Sequence, residues 1–107
     1  MSKVEKSSGN VYVDLGAAHP DEMLIKAKLA AKIGEIIKQR QLSQQQAAVI
    51  LGVTQPKLSN ILRGQFRGVS EAKMLDCLAR LGRDIRIVVQ PARARQKVGR
   101  VEVVFAQ

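Results

Sequence analysis

The 107-residue sequence predicts a mainly α fold, a compact set of four to five helices followed by one or two C-terminal β-strands. Three observations carry that reading. Apolar residues recur at helical spacing from residue 20 to residue 81, Ser, Thr and Gly stand where those helices should begin and end, and β-branched runs replace the helical period after Gly82. Hydrophobic residues make up 46% of the chain and aromatic ones only 3%, so the core must be built from Leu, Ile, Val and Ala. The length suits one domain with tails and is too short for two independent cores. The chain divides into a flexible arm with a short extended segment (1–18), a helical domain (19–82) and a C-terminal part of strands and a basic loop (83–107).

Residues 1–10 are polar and rich in Ser, Gly and Lys, as expected of an arm without a core. Val11, Tyr12, Val13 and Leu15 follow as an extended segment with no obvious place in a helical bundle. The first helix starts near His19-Pro20-Asp21-Glu22, with proline in the first turn and acids at the positive end of the dipole. It runs to about Arg40 and buries Ile25, Leu29, Ile33, Ile36 and Ile37.

Ser43 caps a second helix running to Leu51, and Gly52 tolerates the positive φ of a tight turn. Thr54 then caps a third helix running to Leu62. This is the punctuation of a helix-turn-helix. Ala47, Ala48, Ile50, Leu51, Val53, Leu58, Ile61 and Leu62 form its packed side, while Gln55, Lys57, Ser59 and Asn60 project elsewhere. After a loop over 63–68, Ser70 and Glu71 open a fourth helix that ends at Leu81-Gly82 and closes the core through Met74, Leu75, Leu78 and Leu81. Asp84 to Gln90 reads as a strand stopped by Pro91, and Gly99 to Phe105 again looks extended. A lone two-stranded ribbon is marginal in water, so the first strand is expected to pair with its copy in a second chain.

Charge narrows the function. The formal charge is +9, and residues 43–70 carry Lys57, Arg63 and Arg67 with no Asp or Glu. A basic, acid-free surface attracts phosphates. Cys77 is the only cysteine, which excludes an intramolecular disulfide and a cysteine metal cluster and fits a buried thiol in a reducing compartment. No apolar signal core and no apolar run of roughly 20 residues is present, so a cytoplasmic protein without a membrane partner is expected. The sole histidine, His19, sits in a capping neighbourhood, and no phosphate loop, paired-histidine metal motif or nucleophile elbow occurs. The expectation is a binder without enzyme activity, metal or cofactor.

The run Leu42-Ser43-Gln44, Ala48, Leu51-Gly52-Val53-Thr54-Gln55, Leu58-Ser59, Ile61-Leu62 and Gly64 resembles the Xre and phage-repressor type of helix-turn-helix protein. With the segment 10–16 and the exit Leu81-Gly82-Arg83-Asp84, it is similar to a small antitoxin-like (HigA-like) subgroup. The resemblance implies that the second motif helix enters the major groove of double-stranded DNA. Carried onto this chain, it makes Gln55, Lys57 and Asn60 base readers; Gln44, Thr54, Ser59 and Arg63 then hold phosphates and set register. A repressor is expected, and because a single motif offers few phosphate contacts it is expected to be homodimeric on a palindromic operator, with Ile85, Ile87, Val88 and Val89 of the first strand as dimer contacts. An antitoxin would bind its cognate toxin through Val11, Tyr12, Val13 and Leu15 and repress its own operon. A stand-alone prophage-type regulator and a protein-interaction adaptor on the same scaffold are the alternatives. The basic run Arg93, Arg95, Lys97 and Arg100 suits either a duplex flank or a solvated loop.

Overall fold

Helix α1 (Pro20–Gln39) is the spine of the computed structural model, which describes residues 20–92 and 98–106. Its stripe Ile25, Leu29, Ile33, Ile36 and Ile37 is buried as the period requires, with Ile33 fully enclosed. Helices α2 (Gln44–Leu51), α3 (Gln55–Leu62) and α4 (Glu71–Arg80) follow. α1 packs on α4 and α3, and α2 packs on α3 and α4, so one core unites all four. Ala47, Leu51, Leu58, Ile61, Met74 and Leu78 fill it.

The ends of the helices are chemically marked. Ser43 makes a reciprocal cap: its Oγ accepts from Gln46 N at 3.0 Å, and Gln46 Oε1 accepts from Ser43 N at 2.9 Å. Thr54 and Ser70 accept from Lys57 N and Lys73 N in the same way at α3 and α4. Gly52 stops α2 at φ 69° in the left-handed region. α1 ends differently, because Gln41 takes φ 56° where glycine would be expected, and the first helix therefore ends without its usual sequence sign.

Two features of the loop between α3 and α4 escape a pattern reading. Phe66 and Val69 are buried and anchor it to the core. Lys26 is buried too, its ammonium 3.4 Å from Glu22 Oε2 while donating at 3.1 Å to the carbonyl of Arg67. A buried charge is tolerable only when paired and hydrogen-bonded, and both conditions are met here. Lys26 thus ties α1 to the chain just beyond α3.

Glu71, at the start of α4, faces the same cluster. Burial, and then Glu22, push its carboxyl above the ordinary range, against the opposing pull of Lys26. The folded state therefore holds the proton more tightly than the unfolded chain. Stability contributed by this group is complete below the ordinary glutamate value of about 4.3 and is lost as pH rises through the higher folded value. Glu71→Gln is expected to flatten that part of the stability–pH curve and to raise the urea midpoint slightly at pH 7; an unchanged curve would contradict the assignment.

Cys77 is fully enclosed in the core, and burial raises its thiol pKa despite the nearby cations Lys73, Arg80 and Lys57. A thiol reagent is expected to label it readily in urea and far more slowly in the native chain.

The C-terminal strands of the sequence reading are corrected by the structure. The described residues form four helices and no strand. Among the described residues the backbone over 84–90 has no ladder partner, and Ile87, Val88 and Val89 are 79%, 63% and 90% exposed. β-Branched residues favour extended backbone, but a strand exists only where a neighbour takes its N–H and C=O groups. The segment 99–105 does not supply that neighbour. It returns to the helices through side chains, with Val103 against the core and the Phe105 ring 4.8 Å from the Lys32 ammonium.

Candidate nucleic-acid interface

The sequence 43–70 places two capped helix starts on the protein surface with no acid in either first turn. The unpaired N–H groups and the positive dipole ends of α2 and α3 are therefore unopposed by carboxylates, a setting that suits phosphate. Gln44 is exposed in the first turn of α2. The Thr54 hydroxyl accepts from Lys57 N and keeps its own proton to donate outward, so capping and phosphate contact are compatible.

At about 100° per residue, α3 turns Leu58 and Ile61 inward and Pro56, Asn60 and Arg63 to the opposite side. Gln55 and Lys57 flank that outward strip at the first turn, and Ser59 borders it. Their exposure agrees: Gln55, Pro56, Lys57 and Arg63 are exposed, while Ser59 and Asn60 are half-buried. Pro56 sits in the first turn, where its missing N–H costs nothing and its ring stiffens the helix start.

Of the residues singled out from the sequence, the structure joins Asn60 and Arg63 directly. Arg63 Nη2 donates to Asn60 Oδ1 at 2.6 Å. Gln55 and Lys57 stand beside this pair on the same helix, whereas Gln44 belongs to the start of α2.

Residues that the sequence reading passed over hold the helix pair in place. Arg80 of α4 pairs with Asp76 at 2.9 Å and lies over the α2–α3 turn, where a Cβ on Gly52 would meet Arg80 Nη1 at 3.2 Å. The turn favours glycine for its positive φ, and the guanidinium lies close over it. Gly34 of α1 similarly lets α3 approach, since a Cβ there would lie 3.3 Å from Leu62 Cδ2. The i,i+4 spacing of Asp76 and Arg80 was a readable signal for their pairing, but not for the turn it would cover.

Val11, Tyr12, Val13 and Leu15 lie outside the described residues, as do Arg93, Arg95 and Lys97. Arg100 is exposed, and Ile85, Ile87, Val88 and Val89 form an exposed apolar run after α4. Among the described residues no helix is long and apolar enough to cross a membrane, and no group of three or more His, Cys, Asp or Glu is placed to hold a metal ion.

Four helices with a capped, acid-free central pair define a helix-turn-helix domain, and a family model described as a helix-turn-helix domain matches residues 11–90. A solved structure named "Putative XRE Family Transcriptional Regulator" superposes with a TM-score of 0.74 at 31% identity, covering 80% of this chain and 97% of that one. The chain belongs to the XRE-type helix-turn-helix family. No curated protein matches it.

Proposed function

We propose that the chain is a sequence-specific DNA-binding transcriptional regulator acting as a homodimer on a palindromic operator. The observation that carries this reading is the outward side of α3, where Asn60, flanked by Gln55 and Lys57, offers hydrogen bonds on a helix pair with no acid in either first turn. Gln44, Thr54 and Ser59 supply phosphate contacts that fix register, and the side chains of α3 supply the base readout. The family membership and the name of the solved relative support the same class. The chain works by binding alone and catalyses nothing.

Dimerisation is supported by the exposed apolar run Ile85 to Val89, which leaves water only if a second surface covers it. A two-fold pair doubles the phosphate contacts and matches half-sites about 34 Å apart. Selection of bound sequences from a random duplex pool tests the whole reading. A two-fold repeat is the expected result; weak, salt-sensitive association indifferent to sequence would replace the regulator by an adaptor.

Within this reading the chain represses its own operon as the antitoxin of a toxin–antitoxin pair, with Val11, Tyr12, Val13 and Leu15 as the toxin contact. The resemblance of the flanking segments supports this. Co-expression with the neighbouring open reading frame should yield a complex that survives purification. Its absence would leave a stand-alone regulator.

A further inference from the structure

We propose that Asn60 and Arg63 act as one donor-only reading unit that selects guanine, a reading that rests on the regulator function above. The two side chains are joined at 2.6 Å, Arg63 Nη2 to Asn60 Oδ1. A guanidinium carries donors only, so the edge of the Asn60 amide that faces it must be the carbonyl oxygen. That chemistry settles an orientation which an isolated asparagine leaves open. Asn60 Nδ2 is consequently turned away from Arg63. The main chain at Arg63 is held as α3 closes, its N–H donating to Ser59 O at 3.1 Å and to Asn60 O at 3.2 Å.

The direction of the amide decides what the pair can read. An asparagine reads adenine by accepting from N6 and donating to N7 on one edge. Here Arg63 takes one lone pair of the Asn60 amide oxygen, and the remaining guanidinium protons beside it would meet the adenine amino group donor against donor. Cytosine presents the same conflict through its N4 amino group, and thymine offers one acceptor. Guanine alone offers two neighbouring acceptors, N7 and O6, for the Asn60 amide and the free edge of Arg63. The charge on Arg63 strengthens the bond that its guanidinium donates. Arg63 is then a positioning residue for Asn60 and a reader in its own right, in place of the phosphate role that its family position implies.

The test uses the full chain, its Asn60→Ala and Arg63→Ala variants and the double variant, each passed through selection from the random duplex pool and titrated on single-base changes of the selected site. Alanine favours helix, so α3 is retained, and matching thermal midpoints check it. The wild type should prefer guanine at one position of each half-site by roughly ten- to a hundredfold. Each single variant should lose part of that preference, and the double variant should abolish it while losing less than the product of the two single losses, because each side chain holds the other. Positions read by Gln55 should keep theirs.

If Arg63→Ala weakens every duplex equally and leaves the Asn60-dependent preference intact, Arg63 is a phosphate contact and the proposal fails. It fails equally if the position that depends on Asn60 selects adenine. A wild-type chain that enriches no sequence overturns the regulator reading itself, whereas enrichment without this guanine overturns the paired unit alone.

Discussion

Replacing Leu58 with alanine is expected to destabilise the domain by about 2–5 kcal/mol and to weaken operator binding through the same loss. Leu58 is fully buried on the inner side of α3, among the side chains that join α3 to the rest of the core. Removing its isobutyl group takes away the burial energy of the lost atoms and leaves a cavity that four short, mutually braced helices can close only in part. A domain of this size has roughly 5–15 kcal/mol in total, so a large share of the folded population is at stake. On the function proposed here α3 carries the reading side chains, and Leu58 seats that helix, so misplacement of the readers would accompany loss of stability. Urea midpoints measure the first effect and operator titration the second. Val49→Ala supplies the contrast: Val49 is 78% exposed in α2 and should change stability by no more than about 0.5 kcal/mol. Equal midpoints for the two variants would show that Leu58 does not hold the helix pair together.

The helices were legible because their signals are local. Ser43, Thr54 and Ser70 each stand at a cap and each accepts the expected backbone N–H, and Gly52 occupies the left-handed position its place in the turn requires. The fivefold stripe from Ile25 to Ile37 needed only the helical period. The C-terminal strands failed for the opposite reason. Residues 84–90 have the composition of a strand, but pairing is a property of two segments, and composition does not show whether a second one takes up the ladder.

Charged residues inside the fold show where pattern reading stops. Lys26 shares the stripe of Ala30, Ile33 and Ile37 at spacings of four, seven and eleven, yet a lysine at such a position is read as solvated. Its partners, Glu22 one turn back and a carbonyl 41 residues away, make burial tolerable, and only the first is visible in the sequence. The interface behaves alike. That Gln55, Lys57 and Asn60 share α3 is plain from spacing, while the grip of Arg63 on the Asn60 oxygen and the seat of Arg80 over Gly52 depend on side-chain direction.

Gln55→Ala is expected to leave the fold intact and to remove most of the discrimination at one A·T pair in each half-site. Gln55 is exposed in the first turn of α3, and the cap there belongs to Thr54, so its side chain has no part in holding the helix start. Its amide carries a donor and an acceptor on one edge, the pair that adenine N7 and N6 require. Loss of a bidentate contact costs about 1–3 kcal/mol of discrimination, or roughly ten- to a hundredfold. In a two-fold complex the loss occurs twice, and the factors multiply because half-sites about 34 Å apart do not share partners. The affinity ratio between the selected operator and one with both adenines replaced is therefore the sensitive measurement. Thr54→Ala should behave differently, costing about 1 kcal/mol of stability and weakening all sequences alike, since a cap and a phosphate contact carry no base preference. A Gln55→Ala variant that kept the wild-type ratio would take base reading away from Gln55 and leave it to Lys57 and to the pair further along the helix.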